Sequence, residues 1–81
     1  MEELMEFSKR LKFLRDEKNI STRELAEEIG ISKTAINEYE NAMSDPALTT
    51  AKKIADYFDE DIDWLIGSAP FYQRRIKKIA K

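Results

Sequence analysis

The chain contains no cysteine and no histidine. The first absence rules out a disulfide framework and a thiolate-bound zinc. The second removes imidazole, both as a metal ligand and as the commonest general base. Zinc sites and histidine-based catalysis are therefore close to excluded, and no cofactor is expected. Glycine and proline number two each, so the chain has few built-in breaks. Its 81 residues fit one domain around one core. No apolar run approaches a membrane span, and the opening Met1-Glu2-Glu3-Leu4-Met5-Glu6 is acidic, unlike a signal peptide. A cytoplasmic protein with no membrane partner is the expectation.

Charge is unevenly spread. The formal net charge is −2, but all sixteen acidic residues precede Ser68. Residues 1–71 hold nine basic groups against those sixteen, a net of −7, while Arg74, Arg75, Lys77, Lys78 and Lys81 crowd the end. Such a body is repelled by nucleic acid except where a local basic patch faces it. Any such binding is expected to be modest and strongly salt-dependent.

Apolar spacing predicts an all-α chain. Leu4, Phe7, Leu11 and Leu14 recur at helical intervals and predict a first helix over about 3–18, with Lys9, Arg10, Lys12 and Lys18 off its buried stripe. Further helices are predicted over about 22–29, 33–41 and 47–58, the last opened by Pro46 and burying Leu48, Ala51, Ile54, Ala55 and Phe58. A fifth helix, capped by Asp61, buries Ile62 and Leu65, with Trp64 a further candidate, and ends at Gly67. Residues 1–67 form the expected domain and 68–81 a basic tail, whose Phe71 to Lys81 could make a sixth helix.

The most informative stretch is Thr22 to Asn41. Leu25, Ile29, Ile31, Ile36 and Tyr39 supply an apolar set, Ala26 leaves room for a close helix crossing, and Gly30 supplies the left-handed residue that ends a helix. Ser21 with Glu24 reads as a capping box, stapled by Ile20 and Leu25. Ser32 caps the next helix, with Ile31 and Ile36 as its staple. The outer face of that helix keeps Ser32, Lys33, Thr34, Asn37 and Glu38, all able to bond a base edge or a phosphate. This is the arrangement of a helix-turn-helix reader of DNA. An ordinary αα-hairpin within a bundle is the alternative.

The chain resembles the Cro/cI-type (XRE) helix-turn-helix regulators. The likeness runs from about Phe7 to Gly67. It rests on L-R-D-E-K-N-I-S before the motif, E-L-A-E-E-I-G-I-S-K-T-A-I-N-E-Y-E-N within it, and D-P, A-K-K-I-A-D-Y-F and D-W-L-I-G after it. The resemblance implies a five-helix, lambda-repressor-like domain that acts as a homodimer on a pseudo-palindromic operator in double-stranded DNA.

Docking geometry assigns base contacts to Lys33 (guanine O6 and N7), Thr34 (a thymine methyl or a phosphate), Asn37 (adenine N6 and N7) and Glu38 (cytosine N4). Thr22 and Arg23 begin the preceding helix, whose N-terminus favours a phosphate. The resemblance implies a backbone contact at Thr22, where the family more often carries glutamine. It also implies a second phosphate clamp at Asn41, Met43 and Ser44, although Ala42 stands where glycine is usual. A left-handed alanine there costs on the order of 1 kcal/mol; otherwise Asn41 takes that conformation or the clamp changes shape. Arg15 and Glu40 match two family positions that form a partly buried ion pair; removing one partner costs ~3 kcal/mol if the pair is buried, and almost nothing if the two are surface charges.

The acidic residues do not make an active site. Asp59-Glu60-Asp61 lacks a nucleophile, a glycine-rich loop or the spacing of a calcium loop. The tail, with Phe71, Tyr72, Ile76, Ile79 and Ala80 on a partial apolar face, has three readings: a dimerisation helix, a DNA-backbone arm, or the start of a linker. A repressing transcriptional regulator is the primary expectation. The alternative is a protein-interaction module, antitoxin-like, with a protein partner and secondary DNA binding.

Overall fold

In a computed structural model, the structure describes residues 2–73, with side chains from Glu6 onward. Among the described residues five helices follow one another: α1 (Glu2–Lys18), α2 (Thr22–Ile29), α3 (Lys33–Glu40), α4 (Leu48–Phe58) and α5 (Ile62–Leu65), then a short 3-10 turn at Phe71–Gln73. The fold is all-α, as the spacing predicts. Of the expected sixth helix, 71–73 form that turn and 74–81 lie outside the described residues, as does the side chain of Leu4.

One core holds the helices. Phe7, Leu11 and Leu14 of α1 meet Leu25 and Ala26 of α2, Ile36 and Tyr39 of α3, Ile54 and Ala55 of α4, and Trp64 and Leu65 of α5. Each large side chain fully buried there contributes roughly 1.5–3 kcal/mol relative to exposure. Phe7 and Tyr39 meet edge to face, with ring centroids 5.6 Å apart.

The helix ends share one device. Asn19, Gly30, Ala42, Asp59 and Gly67 all take positive φ, between 57° and 89°. Beyond each, an N–H reaches back five residues to a carbonyl: Ile20 to Arg15, Ile31 to Ala26, Met43 to Glu38, Glu60 to Ala55 and Ser68 to Asp63. These are Schellman-type caps, which satisfy carbonyls that a helix end would otherwise leave open. Ala42 itself is left-handed, whereas Asn41 has φ −101°. The cap's position in the chain outweighs the cost of the alanine Cβ.

Four details depart from what the sequence predicts, the first being that Asp61 occupies the N-cap position of α5 without a side-chain cap hydrogen bond. Arg10 is buried rather than solvated off the stripe of α1. Its Nη1 donates to the carbonyls of Trp64 and Ala69, both at 2.6 Å, and its guanidinium lies over the Trp64 ring at 5.1 Å. It also pairs with Glu6 at 2.9 Å. Leu48 is 73% exposed rather than buried, because it is the first residue of α4 and lies beyond the core face of that helix. Pro46 does not open α4. It precedes the extended N-cap Ala47 (φ −64°, ψ 157°), so the helix begins two residues after the proline.

Candidate nucleic-acid interface

The second and third helices are set by their caps. Ser21 Oγ accepts from the Glu24 N–H at 3.0 Å, and Glu24 Oε1 accepts from the Ser21 N–H at 2.9 Å, which closes the capping box. Ser32 Oγ accepts from the Ala35 N–H at 3.0 Å. Gly30, at φ 75° and ψ 35°, turns the chain between them. The apolar residues Leu25, Ala26, Ile36 and Tyr39 then bury the inner faces of both helices.

The outer face of α3 follows directly. With Ile36 and Tyr39 turned inward, Lys33, Thr34, Asn37 and Glu38 are all exposed. Their spacing of one, three and one puts them on one side, a turn apart. The face offers an ammonium, a hydroxyl, an amide and a carboxylate. Together these can donate to and accept from base edges.

The flanking candidates differ in how free their polar groups are. Arg23 is exposed and lies 3.9 Å from Glu27, a solvated contact too weak to hold it from another anion. Thr22, at the first position of α2, is half-buried. Ser32 is exposed, and its oxygen already serves the cap. Asn41 Nδ2 donates to the Asn37 carbonyl at 2.7 Å, which commits one of its amide hydrogens to the helix end. Met43 is 73% exposed, Ser44 half-buried. Arg23 and Lys33 also border a shallow cleft between α2 and α3, floored by Ala26 and Ile31.

Arg15 and Glu40 tie α1 to the end of α3. Arg15 Nε donates to Glu40 Oε2 at 2.7 Å and Nη2 to Oε1 at 2.9 Å, a bidentate pair. Arg15 Nη1 donates to the Ile20 carbonyl at 2.9 Å. The Glu40 hydrogen bond holds the guanidinium above its ordinary range, with burial opposing it. Ser8 Oγ adds a second tie, donating to the Glu40 carbonyl at 3.0 Å. Helical periodicity gives no sign of the role of Ser8, and it sets Arg10 off the buried stripe of α1. The signal for Arg10 lay in its position three residues after Phe7 and four before Leu14, at the edge of the apolar stripe.

Two short helices set by caps about a left-handed glycine, with a polar outer face on the second, define a helix-turn-helix protein. A helix-turn-helix family model matches residues 11–65. The chain belongs to that family, the XRE-type helix-turn-helix proteins. Among its relatives is the HTH-type transcriptional activator BcrR of Enterococcus faecalis. It is 37% identical over 63 residues, which cover 78% of this chain and 31% of the relative. A Sulfolobus acidocaldarius protein, provisionally named an HTH-type transcriptional regulatory protein, is 33% identical over 55 residues, covering 68% and 18%. A similarly named protein of Saccharolobus islandicus is 40% identical over 52 residues, covering 64% and 17%. The chain thus spans less than a third of the length of these relatives. No solved structure matches it significantly. The family is one of regulators rather than enzymes. Among the described residues no group of acids could hold a metal ion, and no helix is long and apolar enough to cross a membrane.

Proposed function

We propose that this chain binds double-stranded DNA sequence-specifically and regulates transcription, as a homodimer on a pseudo-palindromic operator. The exposed face of Lys33, Thr34, Asn37 and Glu38 on a helix fixed at both ends is the observation that carries the reading. In this arrangement α3 lies in the major groove, Lys33 and Thr34 enter first, and Asn37 and Glu38 read one turn later. Thr22, Arg23 and Ser32 approach the backbone from the start of the motif, and Asn41, Met43 and Ser44 from its end. Residues 1–67 act as the DNA-binding unit and 68–81 as a basic appendage. A single motif reads too few base pairs for specificity, and two-fold pairing places the recognition helices ~34 Å apart.

Repression by occupancy is the simplest consequence of such binding. The relative from Enterococcus faecalis is named an activator, so a reporter assay decides the sign for this chain. The −7 body favours a second reading, in which the domain chiefly holds a protein partner. Selection from a random duplex library tests both. An enriched palindrome bound by two chains, and lost in a Lys33→Ala, Thr34→Ala variant with unchanged helical circular dichroism, supports the operator reading. Each lost base contact is worth about 1–3 kcal/mol. No enrichment, with a stoichiometric protein partner recovered instead, refutes it.

A further inference from the structure

A cavity of about 300 Å³ opens between α1, the start of α4 and the turn after α5. Pro46, Leu48, Ala51 and Ile66 line it together with Phe7. Its charged lining residue is the exposed Asp45. Leu48, 73% exposed, borders an apolar hollow that nothing among the described residues fills.

We propose that this groove is a docking site for residues 74–81 of the same chain. Three observations select that occupant. The first is position. Ser68 lines the groove, and the chain leaves the described domain only five residues later, at Gln73. The intervening segment is held to α1 and α5: Arg10 donates to the Ala69 carbonyl at 2.6 Å and Trp64 Nε1 to the Phe71 carbonyl at 3.0 Å. Five residues separate Ser68 from Gln73, at most about 18 Å of chain, and eight further residues span about 12 Å as a helix and about 26 Å extended, so a tail that turns back reaches the groove.

The second is chemistry. Residues 74–81 carry Ile76, Ile79 and Ala80 at helical spacing, interleaved with Arg74, Arg75, Lys77, Lys78 and Lys81. The apolar residues suit the walls. The cations suit Asp45 and a body of net charge −7. The third is connectivity. A segment tethered by so short a link is present at millimolar effective concentration, which favours it over the same segment of a second copy.

The consequence rests on the proposed DNA-binding reading. Asp45 and Pro46 belong to the loop that also holds Met43 and Ser44. A seated tail therefore brings cations beside Met43 and Ser44, two of the proposed backbone contacts.

The absence of cysteine makes the test direct. The 81-residue chain with Lys81→Cys and a nitroxide attached is compared with its reduced form by amide NMR, without DNA. Loss of the Leu48, Ala51 and Ile66 amide peaks, restored by adding Ile76→Ser and Ile79→Ser, is the expected result. These changes lie outside the described core, and helical circular dichroism confirms the fold. Unchanged groove peaks in the nitroxide chain overturn the proposal. Mixing nitroxide-labelled chain with isotope-labelled, nitroxide-free chain leaves those peaks intact if the contact is within one chain. Their loss in the mixture overturns the own-chain assignment in favour of a second copy. The measurement needs no DNA, so its failure leaves the Lys33 and Thr34 reading standing, and the duplex selection can fail without touching it.

Discussion

Replacing Glu40 with alanine tests the central scaffold of α3, the proposed recognition helix. The wild-type carboxylate accepts two charge-assisted bonds from Arg15, at 2.7 and 2.9 Å, with side chains only 13% and 9% exposed. After truncation Arg15 keeps the Ile20 carbonyl, and Asp16 lies 3.8 Å from it but is 63% exposed. A largely desolvated guanidinium is left without its main partner, at a cost of about 3 kcal/mol. A surface pair would cost about 0–1 kcal/mol, so the two cases are well separated. Urea unfolding followed by circular dichroism reads the difference. With a slope near 1 kcal/mol per molar for so small a domain, the midpoint falls by about 3 M. A domain of this size has roughly 4–12 kcal/mol in total, so the variant remains measurable at low temperature. Changing both residues, Glu40→Ala with Arg15→Met, removes the stranded charge and recovers part of the loss. A cost below about 1 kcal/mol, or strictly additive single changes, would refute the buried-pair reasoning.

Three further outcomes follow from single residues. Ala42→Gly removes a left-handed alanine costing about 1–2 kcal/mol, partly offset by the greater freedom of glycine when unfolded; the net gain of roughly 0.5–1 kcal/mol raises the melting temperature by a few degrees. Arg10→Met takes the guanidinium from the Trp64 and Ala69 carbonyls, of which Trp64 keeps the Gly67 N–H at 3.1 Å, and destabilises the domain by about 1–3 kcal/mol; the fluorescence of the chain's one tryptophan reports the change directly. The raised titration of Arg15 also fixes a pH response: its contribution is complete below the unfolded value and is lost only as pH rises through the higher folded one. Stability attributable to this arginine is therefore flat across the neutral and mildly alkaline range, and a loss of it between pH 7 and 9 would contradict the assignment.

The helices were legible because their signals are local. Ser21 and Glu24 announce a capping box three residues apart, and Gly30 marks the one turn that separates α2 from α3. Ile36 and Tyr39 declare the inner face of α3, and the exposed residues follow by subtraction. Arg10 was not legible in the same way. A cation on an amphipathic helix ordinarily reaches water, and only the fold brings the Trp64 and Ala69 carbonyls, 54 and 59 residues away, to its guanidinium. Leu48 failed for the opposite reason: hydropathy alone cannot tell which first-turn residue falls outside the core face. Ala42 lay between the two. Its left-handed conformation follows from the cap that ends α3, and propensity alone argues against it.

The architecture separates holding α3 from using its outer face. At its start, Ser32 caps the backbone, and Gly30 with the Ile31 N–H closes α2 against it. At its end, the Glu40 side chain is gripped by Arg15, the Glu40 carbonyl by Ser8, and the Glu38 carbonyl by the Met43 N–H beyond Ala42. Ile36 and Tyr39 fix its inner side in the core. The side chains of Lys33, Thr34 and Glu38 enter none of these fixtures, and Asn37 enters only through its backbone carbonyl. That face can therefore change residue by residue while the helix stays where it is. The proposed reading surface needs this division: the side chains offered to base edges can vary with the target, while Ser32 and Met43, which help hold the helix, approach only the DNA backbone in that proposal.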